Sequence, residues 1–183
     1  MLVCSKGTLG SLAVGVGGSK GGSQMSLLGS AAQTVIDECA LGLEEKTFSI
    51  GDVMTRAADY LRCEAVSIFR LDRGNNELVL RYAMGPSSPA IVGLRIPVGR
   101  GVVGWVVQYG EDLIVPETVR DPRFYAGVDE KTGFVTRSIL CVPMFQSAQV
   151  IGAVEAMNKT SGRFNDEDML FLQEIADVVA DYG

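Results

Sequence analysis

The chain has 183 residues, with 16 Lys and Arg against 22 Asp and Glu, no histidine, and a net charge of −6. Such a length suits one domain with an appendage and can bury a core without staples. The missing histidine excludes Ser-His and Cys-His catalysis and His-built zinc or haem sites; the scattered basic residues argue against nucleic acid, and no apolar run approaches the ~20 residues of a membrane helix.

Residues 1–25 are rich in Gly and Ser, a composition that cannot pack a core and reads as a flexible tail ahead of a domain over 26–183. The start has neither the charged n-region nor the apolar h-region of a secretory signal, so a cytoplasmic protein is expected. Cys4, Cys39, Cys63 and Cys141 form no C-x-x-C pair, and the last three sit among apolar residues as reduced core thiols would. No metal site is expected.

Leu28, Ala32, Val35, Cys39 and Leu43 make one helical stripe over 27–43. A second helix follows, with Ser49 as N-cap, Asp52 at N3, Phe48 placed to staple onto Val53, and a stripe of Ile50, Val53, Met54, Ala57 and Leu61. Two strands, 64–72 and 77–84, flank the turn Arg73-Gly74-Asn75-Asn76, and a short strand covers 93–98. A short helix over 100–109 ends at Gly110, and a strand over 112–115 stops at Pro116. The polar stretch 117–137 reads as a lid or binding loop. Strands at 138–144 and 149–158 and a helix over 166–182 complete the chain. Short connections between consecutive strands imply an antiparallel sheet: an α+β domain with the terminal helices on one face and a pocket under the short helix and long loop on the other.

Glu155 lies in the apolar run Val-Ile-Gly-Ala-Val-Glu-Ala-Met and shares a face with Ile151, Ala153 and Met157 by alternation. It is either an acceptor for ligand N–H groups in a pocket or a margin residue facing water, and alternation does not choose between them. In Val98-Gly99-Arg100-Gly101-Val102-Val103-Gly104, glycines open a helix whose first N–H groups suit a phosphate, although the glycine pattern taken alone favours mere close packing at Gly101 and Gly104. Asn165 caps the last helix with Asp168 at N3, Phe164 can staple onto Met169, and Lys159 is placed to pair with Asp168. The loop Asp121-Pro122-Arg123-Phe124-Tyr125 through Thr132 and Thr136 is either a polar lid or a solvated loop.

Together these features resemble a GAF domain over roughly 27–182. The resemblance is closest to the cyclic-nucleotide-binding GAF domains of animal phosphodiesterases and cyanobacterial adenylyl cyclases. Asp121-Pro122-Arg123-Phe124, Thr132-Gly133-Phe134 and Arg137-Ser138-Ile139-Leu140-Cys141-Val142-Pro143 look like that subgroup's lid and following strand. Asn158, Lys159, Phe164 and Asp168 fit its Asn-Lys…Phe-x-x-x-Asp-Glu signature, with Met169 in place of the final Glu. The resemblance implies a PAS-related sheet and a cyclic nucleotide, cAMP or cGMP, engulfed between sheet and lid, with no other cofactor. It implies that Val102 and Val103 meet the phosphate through their backbone and that Tyr125 approaches it from the lid. Asp129, Thr132 and Thr136 would close over ribose and base, Glu155 would be a pocket carboxylate, Ser67 a polar contact, and Tyr82 with Ala83 would lie near the base. Some guanine-binding relatives place an acid near Ala83, which leaves both nucleotides open.

The expected role is that of a sensor without catalytic residues, dimeric through its first and last helices, signalling to an output domain or partner protein, with no nucleic-acid or membrane partner. The alternatives are a dimerisation scaffold with no nucleotide or a different small ligand, and a free methionine sulfoxide reductase. The reductase needs several cysteines at the pocket, where this chain has Cys141 alone. A bilin carrier is disfavoured for want of a Cys-His pair.

Overall fold

The computed structural model describes residues 28–86 and 91–182, so the Gly/Ser-rich segment 1–25 lies outside the described residues. The elements are α1 (Ser30–Glu44), α2 (Ile50–Leu61), β1 (Cys63–Asp72), β2 (Glu77–Met84) and β3 (Arg95–Pro97), then α3 (Gly101–Tyr109), β4 (Leu113–Val115), a 3₁₀ turn (Thr118–Arg120), the short α4 (Asp129–Thr132), β5 (Ile139–Gln146), β6 (Gln149–Lys159) and α5 (Asp166–Ala180).

Local chemistry sets the helix ends. Ser49 and Asp52 form a reciprocal capping box at α2, and Asn165 and Asp168 form another at α5, which satisfies first-turn donors that have no intrahelical partner. Phe48 packs over Gly42, with the Arg56 guanidinium 4.4 Å from its ring centre. At the end of α3, Gly110 takes a left-handed φ of 67° and its N–H closes on Val106 O.

The six strands pair antiparallel in the order β3-β2-β1-β6-β5-β4. One face carries α1, α2 and α5, packed through Ile36, Met54, Leu61, Phe171 and Ile175 onto Val66, Ile68, Leu140, Val142 and Val154. The other face carries α3, whose Val102, Val103 and Val106 meet Phe69, Leu80, Ile139, Cys141 and Ala153. Both faces are covered, so β5 and β6 read as nearly continuous apolar runs rather than clean alternations.

Two irregularities in the pairing decide which side chains face where. Between β5 and β6, Met144 pairs with Gly152 and Phe145 with Val150, which leaves Ile151 as an extra residue. Ile151 therefore packs with the helix-side core, away from Ala153 and Met157, contrary to simple alternation. Between β1 and β2, Ile68 pairs with Tyr82 and Phe69 with Leu80, so Arg81 is the extra residue. In α1, Ala32, Cys39 and Leu43 are buried as the stripe requires, and Ile36 is buried more deeply than its neighbour Val35.

The sheet is tied to α5 by charge. Lys159 Nζ donates to both carboxylate oxygens of Asp168 at 2.7 Å and to Leu61 O at 3.2 Å, with Phe164 beneath it at 5.5 Å. Arg70 of β1 donates to Val179 O and Ala180 O at the end of α5, where unpaired carbonyls collect.

Candidate functional site

Between the sheet and the 117–137 segment lies a roofed cavity of about 90 Å³. Its floor is Ala65, Ser67 and Phe69 of β1 with Glu155 and Met157 of β6. Leu80 and Ala83 of β2 and Ile96 of β3 make one wall, and Gly101, Val102 and Val103 at the start of α3 make another. Phe124, Tyr125, Val128, Asp129, Thr132, Phe134 and Thr136 form the roof.

Strand register creates the polar centre of the floor. Glu155 pairs with Ser67 on one side and with Cys141 on the other, and directly opposed residues share a face. All three are buried. Burial pushes the Glu155 carboxyl up to about 7, with the Cys141 thiol a modest opposing partner. The same burial, with Glu155 alongside, raises Cys141 well above the usual thiol range.

The roof is held shut by its own groups. Asp129 accepts from Thr136 N and from Thr136 Oγ1, both at 2.7 Å. Thr132 Oγ1 donates to Val128 O at 3.0 Å and accepts from Phe134 N at 3.1 Å. Phe124 and Val128 anchor the segment on the apolar face, so it is better anchored than its composition suggests. The Tyr125 hydroxyl lies against Gly127, where a Cβ would run into it, and the Arg100 guanidinium sits 3.9 Å from the Tyr125 ring centre. Arg123 forms a two-point pair with Asp121 and lies 5.0 Å over Trp105.

Both ends of the roof are pinned. Thr118 N donates to Arg137 O at 3.0 Å, and Thr118 Oγ1 donates to Thr136 O. Asn158, 1% exposed with φ 59°, accepts from Arg137 N at 2.6 Å and donates to Val135 O and Glu64 Oε2 at 2.8 Å. The motif position Asn158 thus fastens the roof to the sheet, while Lys159, Phe164 and Asp168 lie on the helix side.

Of the residues singled out in the sequence, Ser67, Val102, Val103, Tyr125, Asp129, Thr132, Thr136 and Glu155 all line the cavity. Tyr82 does not. The extra residue Arg81 turns Tyr82 to the face of its partner Ile68, where it is 37% exposed, and Ala83 takes the cavity side. Sequence reasoning missed the apolar contributors Phe124, Val128 and Phe134, which have the composition of any loop anchor. Among the described residues no cluster suits a metal ion.

A family model described as GAF domain matches residues 50–181. The probable 3',5'-cyclic phosphodiesterase pde-5 of Caenorhabditis elegans is 32% identical over 125 residues, 63% of this chain and 17% of that protein. The dual 3',5'-cyclic-AMP and -GMP phosphodiesterase 11A of Takifugu rubripes is 36% identical over 83 residues, 44% of this chain and 9% of that protein. The chain therefore spans less than a fifth of either relative. The solved structure of free methionine-R-sulfoxide reductase from Neisseria meningitidis, in complex with its substrate, shares the fold with a TM-score of 0.68 at 24% identity, covering 82% of this chain and 86% of that one.

Proposed function

We propose, for a chain that belongs to the GAF domain family, that the cavity is a regulatory small-molecule site and that its ligand is a cyclic nucleotide, cAMP or cGMP. The observation that carries this reading is a roofed cavity with Glu155 and Ser67 on its floor and the open turn of α3 at its side. The first N–H groups of a helix have no intrahelical partner and favour an anion, so Gly101–Val103 would take the phosphate. Glu155, Ser67 and the lid groups Asp129, Thr132 and Thr136 would take ribose and base.

In this reading the domain binds and does no chemistry. Among the described residues the cysteines argue the same way against sulfoxide reduction: Cys39 is in the helix-side core, Cys63 opens β1, and Cys141 stands beside Glu155. Burial raises each thiol, Cys63 to about 11, which suppresses the thiolate that reduction requires. Signal would leave through the terminal helices to an output domain or partner, and the outer sides of α1 and α5 would form a dimer contact, for which the 53% exposed Leu41 is a candidate.

Titration calorimetry with cAMP and cGMP, repeated with Glu155→Ala, tests the assignment. Saturable binding that weakens in the variant is expected. A folded, ligand-free sample that takes up neither nucleotide leaves the scaffold, or a sensor of another small molecule, as the better account.

A further inference from the structure

We infer that this cavity takes up a proton together with its anionic ligand, and that Glu155 is the residue that holds it. The inference rests on the cyclic-nucleotide reading and adds its regulation by pH.

The geometry is one of unbalanced charge. Among the described residues lining the cavity, the ionisable acids are Glu155 and Asp129, and no lysine or arginine joins them. Asp129 already accepts two hydrogen bonds from Thr136. Glu155 has the weak thiol donor of Cys141 in their place. From β5 it faces the buried thiol of Cys141, itself under the influence of Asp112, and from β1 it faces the hydroxyl of Ser67. β2 and β3 line the same cavity with apolar Leu80, Ala83 and Ile96. The roof contributes Tyr125 and Asp129 to the lining, and α3 contributes Gly101, Val102 and Val103, none of them titratable. Arg100, whose guanidinium stacks on the roof residue Tyr125, is exposed, and Arg123 of the roof is paired with Asp121; neither lines the cavity.

A cyclic phosphodiester brings one fixed negative charge into this space. Like charges in a shared buried site disfavour joint ionisation, so the ligand strengthens the hold of Glu155 on its proton. The carboxyl of the free protein titrates near neutrality, at about 7, so the extra hold falls where it can be observed. A neutral carboxyl also gains an O–H donor that a carboxylate lacks, and can serve an acceptor atom of the ligand. The balance is simple: nucleotide anion and one proton enter, no bond to carbon or phosphorus changes, and release returns both.

The test is calorimetric titration of the whole chain with cAMP and cGMP in buffers of different ionisation enthalpy, from about pH 6 to about pH 8.5. The dependence of observed heat on buffer counts the protons taken up. Uptake should rise from near zero on the acid side to about one proton on the alkaline side, with affinity falling up to about tenfold per pH unit above neutrality. Glu155→Gln, which copies the protonated form, should bind with no buffer dependence and a flat pH profile. The infrared carboxylic-acid band of the free wild-type protein, titrating near neutrality and absent from Glu155→Gln, supplies a readout that needs no ligand. Binding without proton uptake, or uptake that persists in Glu155→Gln, overturns this inference and leaves the nucleotide reading standing. Absence of binding by both proteins at every pH fails the nucleotide reading and takes this inference with it.

Discussion

Replacing Lys159 by methionine separates the ammonium from the stem that carries it. Three donor contacts disappear, two to Asp168 at 2.7 Å and one to Leu61 O at 3.2 Å, while the volume of the side chain is nearly kept. The two charged side chains are only 14% and 11% exposed, so the pair belongs with buried ion pairs rather than surface ones. Stripping one partner from a buried pair costs about 3–5 kcal/mol because the other charge is left in a poor solvent. Asp168 keeps its capping bonds with Asn165 and its place in the first turn of α5, where the helix dipole favours an acid. These push the value to the low end, about 3 kcal/mol, or a fall in Tm of about 6–12 °C for a domain of this size. Urea unfolding followed by circular dichroism and by the fluorescence of Trp105 measures it, with an unchanged m-value as the check on two-state behaviour. A loss below about 1 kcal/mol, or one that disappears in about 1 M salt, would mean that water screens the pair and that the burial argument is wrong.

Glu155→Gln should stabilise the protein in a pH-dependent way. Below the ordinary value of 4.5 the folded and unfolded carboxyls are both protonated and the contribution is nil; from there to about 7 the unfolded chain ionises while the folded one holds its proton, so wild-type stability falls; above that the cost levels at about 3 kcal/mol. The variant's advantage, read from urea midpoints near pH 5 and pH 8, should be several-fold larger at the higher pH, and an equal gain at both would refute the assignment. Asp129→Ala leaves Thr136 N and Oγ1 without their acceptor and should open the roof locally, raising the rate of tryptic cleavage at Lys131 with little change in global Tm; an unchanged cleavage rate would show that Phe124 and Val128 hold the roof by themselves. Asn158→Ala strands donors on Arg137 and Ser138 and the carbonyl of Val135, and should cost about 3 kcal/mol in chemical denaturation. Asn158→Gly, which tolerates the left-handed φ of 59°, should be less damaging than alanine by a few tenths of a kcal/mol or more.

Features set by neighbours in the chain were readable in advance. The capping residues Ser49 with Asp52 and Asn165 with Asp168 act within one helical turn, and Gly110 stops α3 by its own backbone freedom. The antiparallel sheet followed from short connections. Pairing across the sheet was readable only where alternation survives. It survives at Glu155, which the register sets between Ser67 and Cys141. It fails at Ile151 and Tyr82, because one extra residue in a strand reverses the facing of its neighbour and leaves no mark in composition. Asn158 was legible as a motif residue but not as a clasp, since its partners Glu64, Val135 and Arg137 come from two distant segments. The bond of Asp129 to Thr136 was equally invisible, although both residues were singled out for the site.

Because Thr118 holds Thr136 and Arg137 at the base of the roof, the segment between them is a closed loop whatever its tip is doing. Closing a flexible loop becomes harder only slowly with length, by about 0.6 kcal/mol for each doubling. Extra residues near 126–127 would therefore be tolerated far better than one extra residue in β6 on the Glu155 side of its bulge, which would rotate that carboxyl out of the cavity. The domain thus joins a length-tolerant roof to a register-locked floor, so the shape of the cavity can change through the roof while the sheet stays untouched.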